Sequence, residues 1–210
     1  MKYIVFITGN EGKRKEVQEI LGNTCEVINI KLDLPEIQSI DVKEVIDEKI
    51  KSAYKLAEEN FSQIKEKFLA KNIHITSLKD VIIICEDTGL HIKNMHDFPG
   101  ALIKFYFESV GLNGIVDRDA NSLAKTVCVI GIIKNGKIIK SIIGKRSGKI
   151  AKKLNGTKGF GWDQAFIPDL KNTKHSKHNG KSYAELDDNI KNDISHRSDA
   201  FNKLKAKLIN

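Results

Sequence analysis

A chain of 210 residues, 40% hydrophobic and 30% charged, is long enough to bury a real core and has the balance of an ordinary soluble globular domain. No stretch stays apolar for the roughly 20 residues a membrane-spanning helix needs, and the short apolar run at the start, followed at once by Asn10 and Glu11, does not make a secretory signal. The net charge of +8 favours anionic partners, yet the lysines lack the interleaved aromatics of a dedicated nucleic-acid face, so no specific nucleic acid is expected.

In chain order, Tyr3 to Ile7 is an unbroken run of β-branched and aromatic residues, the signature of a strand buried on both faces. It stops at Thr8-Gly9-Asn10. Glu11 to Leu21 then puts Val17, Ile20 and Leu21 on one helical face, with Gly22 to end the helix. A strand, a glycine turn and a helix bring unpaired amides and the positive end of the helix dipole to one point. The turn fits a polyphosphate cradle to which Thr8, Asn10 and Lys13 add a hydroxyl, an amide and a cation. It fits equally a plain β–α connection with a solvated Lys13. It is not a Walker P-loop, because Gly9 to Gly12-Lys13 is too short a spacing and Arg14 stands where a Ser or Thr would be needed.

Glu26 to Ile30 reads as a second strand, followed by a loop whose carboxylates are Asp33 and Glu36. Asp41 to Asn60 is an amphipathic helix with Val42, Val45, Ile46, Ile50 and Ala53 inward. Lys49 falls inside that apolar stripe, where a lysine must either snorkel to an edge or meet an anion; the anion is the preferred reading. Residues 58–80 are lysine-rich and either continue the helix or form a surface excursion.

Val81 to Cys85 is another buried-strand run, leading into Glu86-Asp87-Thr88-Gly89. Carboxylates at the C-terminal edge of a strand are well placed for chemistry, and only one of Glu86 and Asp87 need face a cleft, since strand neighbours point oppositely. Magnesium suits such a site; a polar turn at a strand end is the other reading. Asp97 to Gly100 is a turn, and Ala101 to Val110 a short helix carrying Lys104. Thr126 to Ile133 and Lys137 to Ile143 form a hairpin across Asn135-Gly136. Gly144 to Gly148 predicts a turn into a further strand at Lys149 to Ala151.

Gly156 to Asp163, GTKGFGWD, surrounds Phe160 and the single tryptophan with three glycines. It reads either as backbone that approaches a ligand beside a stacking ring or as an aromatic plug of a sheet edge. Asn172 to Ser182 is polar and basic; His175 and His178 lack a neighbouring carboxylate or cysteine, which predicts a mobile surface loop rather than a metal site. The closing helix turns Ala200, Phe201, Leu204 and Leu208 inward. His196 and Arg197 lie near its start, where a cation opposes the helix dipole, so either Arg197 serves a ligand or the helix begins later. The three cysteines have no CxxC spacing, which points to buried thiols in a reducing compartment and a cytoplasmic protein.

The ordered motifs TGNEGK, DLPE, CEDTGL, FPGALIK, GFGWD, YAEL and KNDISHR resemble those of the inosine triphosphate pyrophosphatase family, from Met1 to about Leu208. DLPE and the EDT motif place the chain nearer the eukaryotic branch. The resemblance implies hydrolysis of non-standard purine nucleoside triphosphates (ITP, dITP and XTP) to the monophosphate and pyrophosphate. It implies an α/β fold, a single domain over residues 1–210, with a long mixed, strongly bent central sheet whose flanking helices form two lobes around a nucleotide cleft. Magnesium as cofactor, with manganese as a substitute, and a homodimer come with it.

Residue by residue, the resemblance implies that Thr8, Gly9, Asn10, Glu11, Gly12 and Lys13 hold the triphosphate. Glu36 and Asp87 bind the metal, with Glu86 alongside. Lys49 matches the lysine on the family's helix, and Thr88 and Lys104 reach phosphates or sugar. Phe160 stacks on the base, flanked by Gly161, Trp162 and Asp163, while Lys191, His196 and Arg197 read its edge. The catalytic candidates are Asp87, Glu86 and Lys13. The chain departs from the family in lysine-rich insertions near 58–80 and 171–181. Two other readings stay open: a basic nucleotide- or RNA-binding protein without catalysis, and a pyrophosphatase for other modified nucleotides. Intact carboxylates at Glu36, Glu86 and Asp87 count against the first, since a pure anion binder has no use for them.

Overall fold

A computed structural model describes residues 2–209. Strand β1 (Lys2–Ile7) runs through the glycine turn into helix α1 (Glu11–Leu21), and β2 (Cys25–Ile30) returns parallel to β1, pairing Ile4 with Val27. Helices α2 (Val42–Glu59) and α3 (Phe61–Leu69) follow, then β3 (Ile82–Ile92), the short β4 (Pro99–Gly100) and α4 (Ile103–Asp119). The long hairpin of β5 (Leu123–Lys134) and β6 (Lys137–Ile150) turns at Asn135 and Gly136, both left-handed (φ 53° and 71°), as that dipeptide predicts. After β7 (Phe166–Pro168) come α5 (Asp188–Ile194) and α6 (His196–Ile209). The mixed seven-stranded sheet has the order β2-β1-β3-β5-β6-β7, with β4 on β3. None of the described helices is long and apolar enough to cross a membrane.

Period-two alternation explains how one sheet builds two cores. Val5, Ile7, Ile83, Cys85 and Val129 point to one face, where α2 and α3 cover them. Ile4, Phe6, Ile82, Ile84 and Ile130 point to the other, under α1 and α6. A third cluster gathers Leu90, Ile92, Ile103, Phe166 and Tyr183 at the far end of the sheet.

The pairing of β3 positions the site. Antiparallel β5 occupies one edge of β3 along its whole length, from Ile82 to Ile92. On the opposite edge, β1 pairs only with Ile82–Ile84 and β4 only with Leu90 and His91. Cys85 to Gly89 therefore has no strand on that edge, and this gap lies just beyond the point where β1 gives way to the Thr8–Asn10 turn. Glu86-Asp87-Thr88-Gly89 is thus strand interior, correcting both the strand end and the polar turn expected there.

Four further expectations are corrected. β6 runs unbroken through Gly144–Gly148. A Cβ on Gly144 would lie 2.1 Å from the His196 carbonyl oxygen, so glycine there lets α6 sit against the strand rather than turning the chain. Gly144→Ala is expected to destabilise the fold by about 3 kcal/mol, because the obstructing atoms are backbone and cannot swing aside; a urea midpoint within error of wild type would contradict that packing. Helix α4 outruns the expected Ala101–Val110 by continuing past a kink at Gly111. Residues 58–80 neither prolong α2 nor drift over the surface: α3 buries Ile64 and Phe68, and Phe68 meets Tyr3 edge-on at 5.8 Å. In the 172–182 loop a carboxylate does stand beside the histidines: Asp193, remote in sequence, takes Lys174 Nζ at 2.5 Å and His175 Nε2 at 2.9 Å.

Candidate active site

At the start of α1, the Asn10 side chain accepts the Lys13 amide at 2.9 Å, and Thr8 Oγ1 accepts the Asn10 amide at 3.1 Å. The cap satisfies one first-turn donor and leaves the amides of Glu11 and Gly12 for a ligand. The α1 face that carries Val17 and Ile20 inward also carries Lys13 and Glu16 toward the end of α6.

Lys13 Nζ lies 2.7 Å from Glu86 Oε1 and 3.9 Å from Asp87 Oδ1. Burial alone would push Glu86 up, but Arg197, 3.5 Å away, and Lys13 hold it well below the usual carboxylate range. The Cys128 thiol donates to Glu86 Oε2 at 3.1 Å. Burial likewise opposes the Lys13 charge, and Glu86 and Asp87 more than offset it, so its pKa rises. Asp87, one residue on, faces the open cleft with 18% of its side chain exposed. There burial outweighs Lys13 and Lys49 and raises its pKa. Adjacent carboxylates therefore behave oppositely: Glu86 is a fixed anion inside a cationic cage, and at Asp87 burial outweighs the nearby lysines.

The Phe160 ring is built into the other end. Its amide donates to Asp163 Oδ2 at 2.8 Å, which also takes Lys191 Nζ at 2.5 Å. Lys191 Nζ stands 4.9 Å from the ring centroid, and Arg197 Cζ 5.6 Å. On its remaining side the ring presses on α1, where a Cβ at Gly12 would come within 2.7 Å of it. Arg197 binds Glu16 through Nη1, and Lys191 takes the second Glu16 oxygen at 2.6 Å. His196, 4% exposed, is driven well below its usual pKa by burial and by Arg197, so it stays neutral.

One cleft of about 590 Å³ joins these parts. Its lining brings together Thr8, Gly9, Asn10 and Lys13 with Glu36, Lys49, Glu86, Asp87, Thr88 and Lys104, and with Phe160, Gly161, Trp162, Asp163, His196 and Arg197. Lys49 does meet an anion, and it is Glu36. Three expected ligands do not line the cleft. Glu11 is exposed and pairs with Arg14. Gly12 lies beneath the Phe160 ring, and Lys191 is buried between Glu16 and Asp163. Sequence reasoning missed Glu16 and Cys128. Glu16 left a signal, a carboxylate one turn after Lys13 beside the apolar stripe; Cys128 left none.

A model described as the Ham1 family matches residues 4–207. "Inosine triphosphate pyrophosphatase 2" of Trypanosoma cruzi is 32% identical over 206 residues, covering 97% of this chain and 90% of that protein. "dITP/XTP pyrophosphatase" of Ignicoccus hospitalis is 31% identical over 211 residues, covering 99% and 97%. The structure of a HAM1 protein from Coxiella burnetii superposes with a TM-score of 0.69 at 23% identity over 100% of this chain and 99% of that one, a match of fold.

Proposed function

The chain belongs to the Ham1 family, and from that premise we propose that it hydrolyses non-standard purine nucleoside triphosphates, ITP, dITP and XTP, to the monophosphate and pyrophosphate. The observation that carries this reading is the continuity of one cleft from the Thr8–Asn10 turn, past the Lys13–Glu86–Asp87 cluster, to the Phe160 ring and Arg197. The relatives' names, inosine triphosphate pyrophosphatase and dITP/XTP pyrophosphatase, supply the substrate class.

The donor set fits a divalent cation. Asp87 keeps a raised pKa in spite of two nearby lysines, the mark of a carboxylate short of a counter-charge, and Glu36 lines the same cleft. Among the described residues no three carboxylate, histidine or cysteine side chains converge into a protein-only cage. That suits magnesium, or manganese in its place, which takes one or two carboxylates and completes its shell with water and phosphate. When bound, the cation would neutralise charge on the phosphate oxygens.

The chain's own groups account for the rest. The Thr8–Asn10 turn and Lys13 hold the polyphosphate, and Thr88 and Lys104 reach along it. Asp87 orients a water and takes its proton as the water oxygen bonds to the α-phosphorus; the α–β bridging bond breaks, and pyrophosphate leaves with the electron pair. Phe160 carries the base. The family resemblance adds a homodimer and a cytoplasmic location, and the three free, buried cysteines agree with a reducing compartment. Pyrophosphate release is measured with ITP, dITP, XTP, GTP, ATP and dTTP, with and without magnesium. Turnover confined to the first three and dependent on the metal is the expected result; equal turnover of dTTP or ATP would sink the assignment, as would no release at all.

A further inference from the structure

We propose that Lys31 is a further phosphate-binding residue, one that grips the end of the triphosphate that departs as pyrophosphate; this rests on the nucleotide reading above. The two glycines of the anion turn are covered by different side chains. Gly12 lies under the Phe160 ring, at the base end. Gly9 lies under Lys31: a Cβ there would stand 3.5 Å from Lys31 Cγ, 3.6 Å from Cδ and 3.5 Å from Cε. The whole aliphatic stem therefore follows the turn, and Nζ, one bond of about 1.5 Å further, stays beside it. The backbone fixes this placement, since the Thr8 amide donates to the Ile30 carbonyl at 3.0 Å and so ties the end of β2 to the turn.

The charge inventory shows why a cation is needed there. Lys13, Lys49, Lys191 and Arg197 are matched by Glu86, Glu36, Asp163 and Glu16, four cations against four carboxylates, and Asp33 and Glu108 line the cleft as well. Asp87 with one divalent cation adds a single positive charge, while a nucleoside triphosphate brings about four negative ones. Among the described residues around the turn and cleft, Lys31 and Lys104 are the lysines that take part in no ion pair. Lys104 is carried by α4, and Lys31 alone of the two stands over the turn.

The test compares wild type, Lys31→Met and Lys31→Arg. Inhibition of ITP hydrolysis by pyrophosphate and by IMP is measured, and calorimetric titration with pyrophosphate and magnesium is run on the same proteins. Lys31→Met should weaken pyrophosphate by about tenfold, the worth of one charge-assisted contact, leave IMP unchanged, and be largely reversed by arginine. Equal pyrophosphate affinity in wild type and Lys31→Met, or parallel weakening of both products, would overturn the proposal. Calorimetry needs no turnover, so an enzyme inactive on ITP would sink the functional reading and still leave the Lys31 comparison readable.

Discussion

Asp87→Asn is expected to lower pyrophosphate release by roughly 10³-fold or more and, in metal-free protein, to raise the melting temperature. The two effects have one cause. Burial raises the Asp87 pKa above its usual 3.8, so the folded protein holds that proton to a higher pH than the unfolded chain does. Between the two pKa values the fold loses stability as pH rises, and above the folded value the full penalty is present. Asparagine keeps the shape without the charge and removes the penalty, and with it the base. Glu86 has the opposite sign: its lowered pKa contributes stability at neutral pH that is lost only as pH falls below about 4.5 toward its folded value. Thermal melts and initial rates across pH 4–9 check all of this. An Asp87→Asn protein that melts lower than wild type, or that still turns over ITP normally, would refute the assignment.

Much of this arrangement is legible in the residue order, for physical reasons that also mark where legibility ends. The strand, glycine turn and helix of residues 2–21 are local, and each signal agrees with the next, so that unit follows from sequence. Lys49 follows from helix phase alone, and its anion, Glu36, is found where that phase points. Glycines mislead at 144–148, because a glycine that lets a helix approach is written in the same letter as one that turns a chain. At 86–89 charged residues suggest a strand's end; a strand with one unpaired edge can carry them, and edges are set by topology rather than by local sequence. The contacts that tune the carboxylates, from Cys128 and Arg197, span 42 residues or more and leave no local trace. The gap between β1 and β4 on β3, the feature that makes the site, is invisible until the pairing is known.

Arg197→Ala is expected to be the most damaging single change to the fold. The guanidinium binds Glu16 and Glu86, both at least nine-tenths buried, and its removal leaves each carboxylate with a single lysine, Lys191 for Glu16 and Lys13 for Glu86, in place of two cations. Breaking a buried pair by deleting one partner costs about 3–5 kcal/mol, and here two pairs share the partner. Chemical denaturation reads that loss; a midpoint near wild type would mean the network carries little. On the proposed function the same residue is also expected to carry base choice. Among the described residues its Nε has no partner and the side chain lines the cleft, so on the proposed function an N–H donor remains for the base. Hypoxanthine and xanthine present an acceptor oxygen at purine position 6, where adenine presents a donor amine. A donor that meets a donor stays unpaired, and buried mismatches of that kind discriminate strongly. Arg197→Lys separates the two roles: it keeps a cation for Glu16 and Glu86 but gives up the planar fork. That variant should fold, with ITP preference over ATP falling by about tenfold to hundredfold. An unchanged ITP:ATP ratio in a folded Arg197→Lys protein would place base selection elsewhere, with neutral His196 as the remaining group at that end.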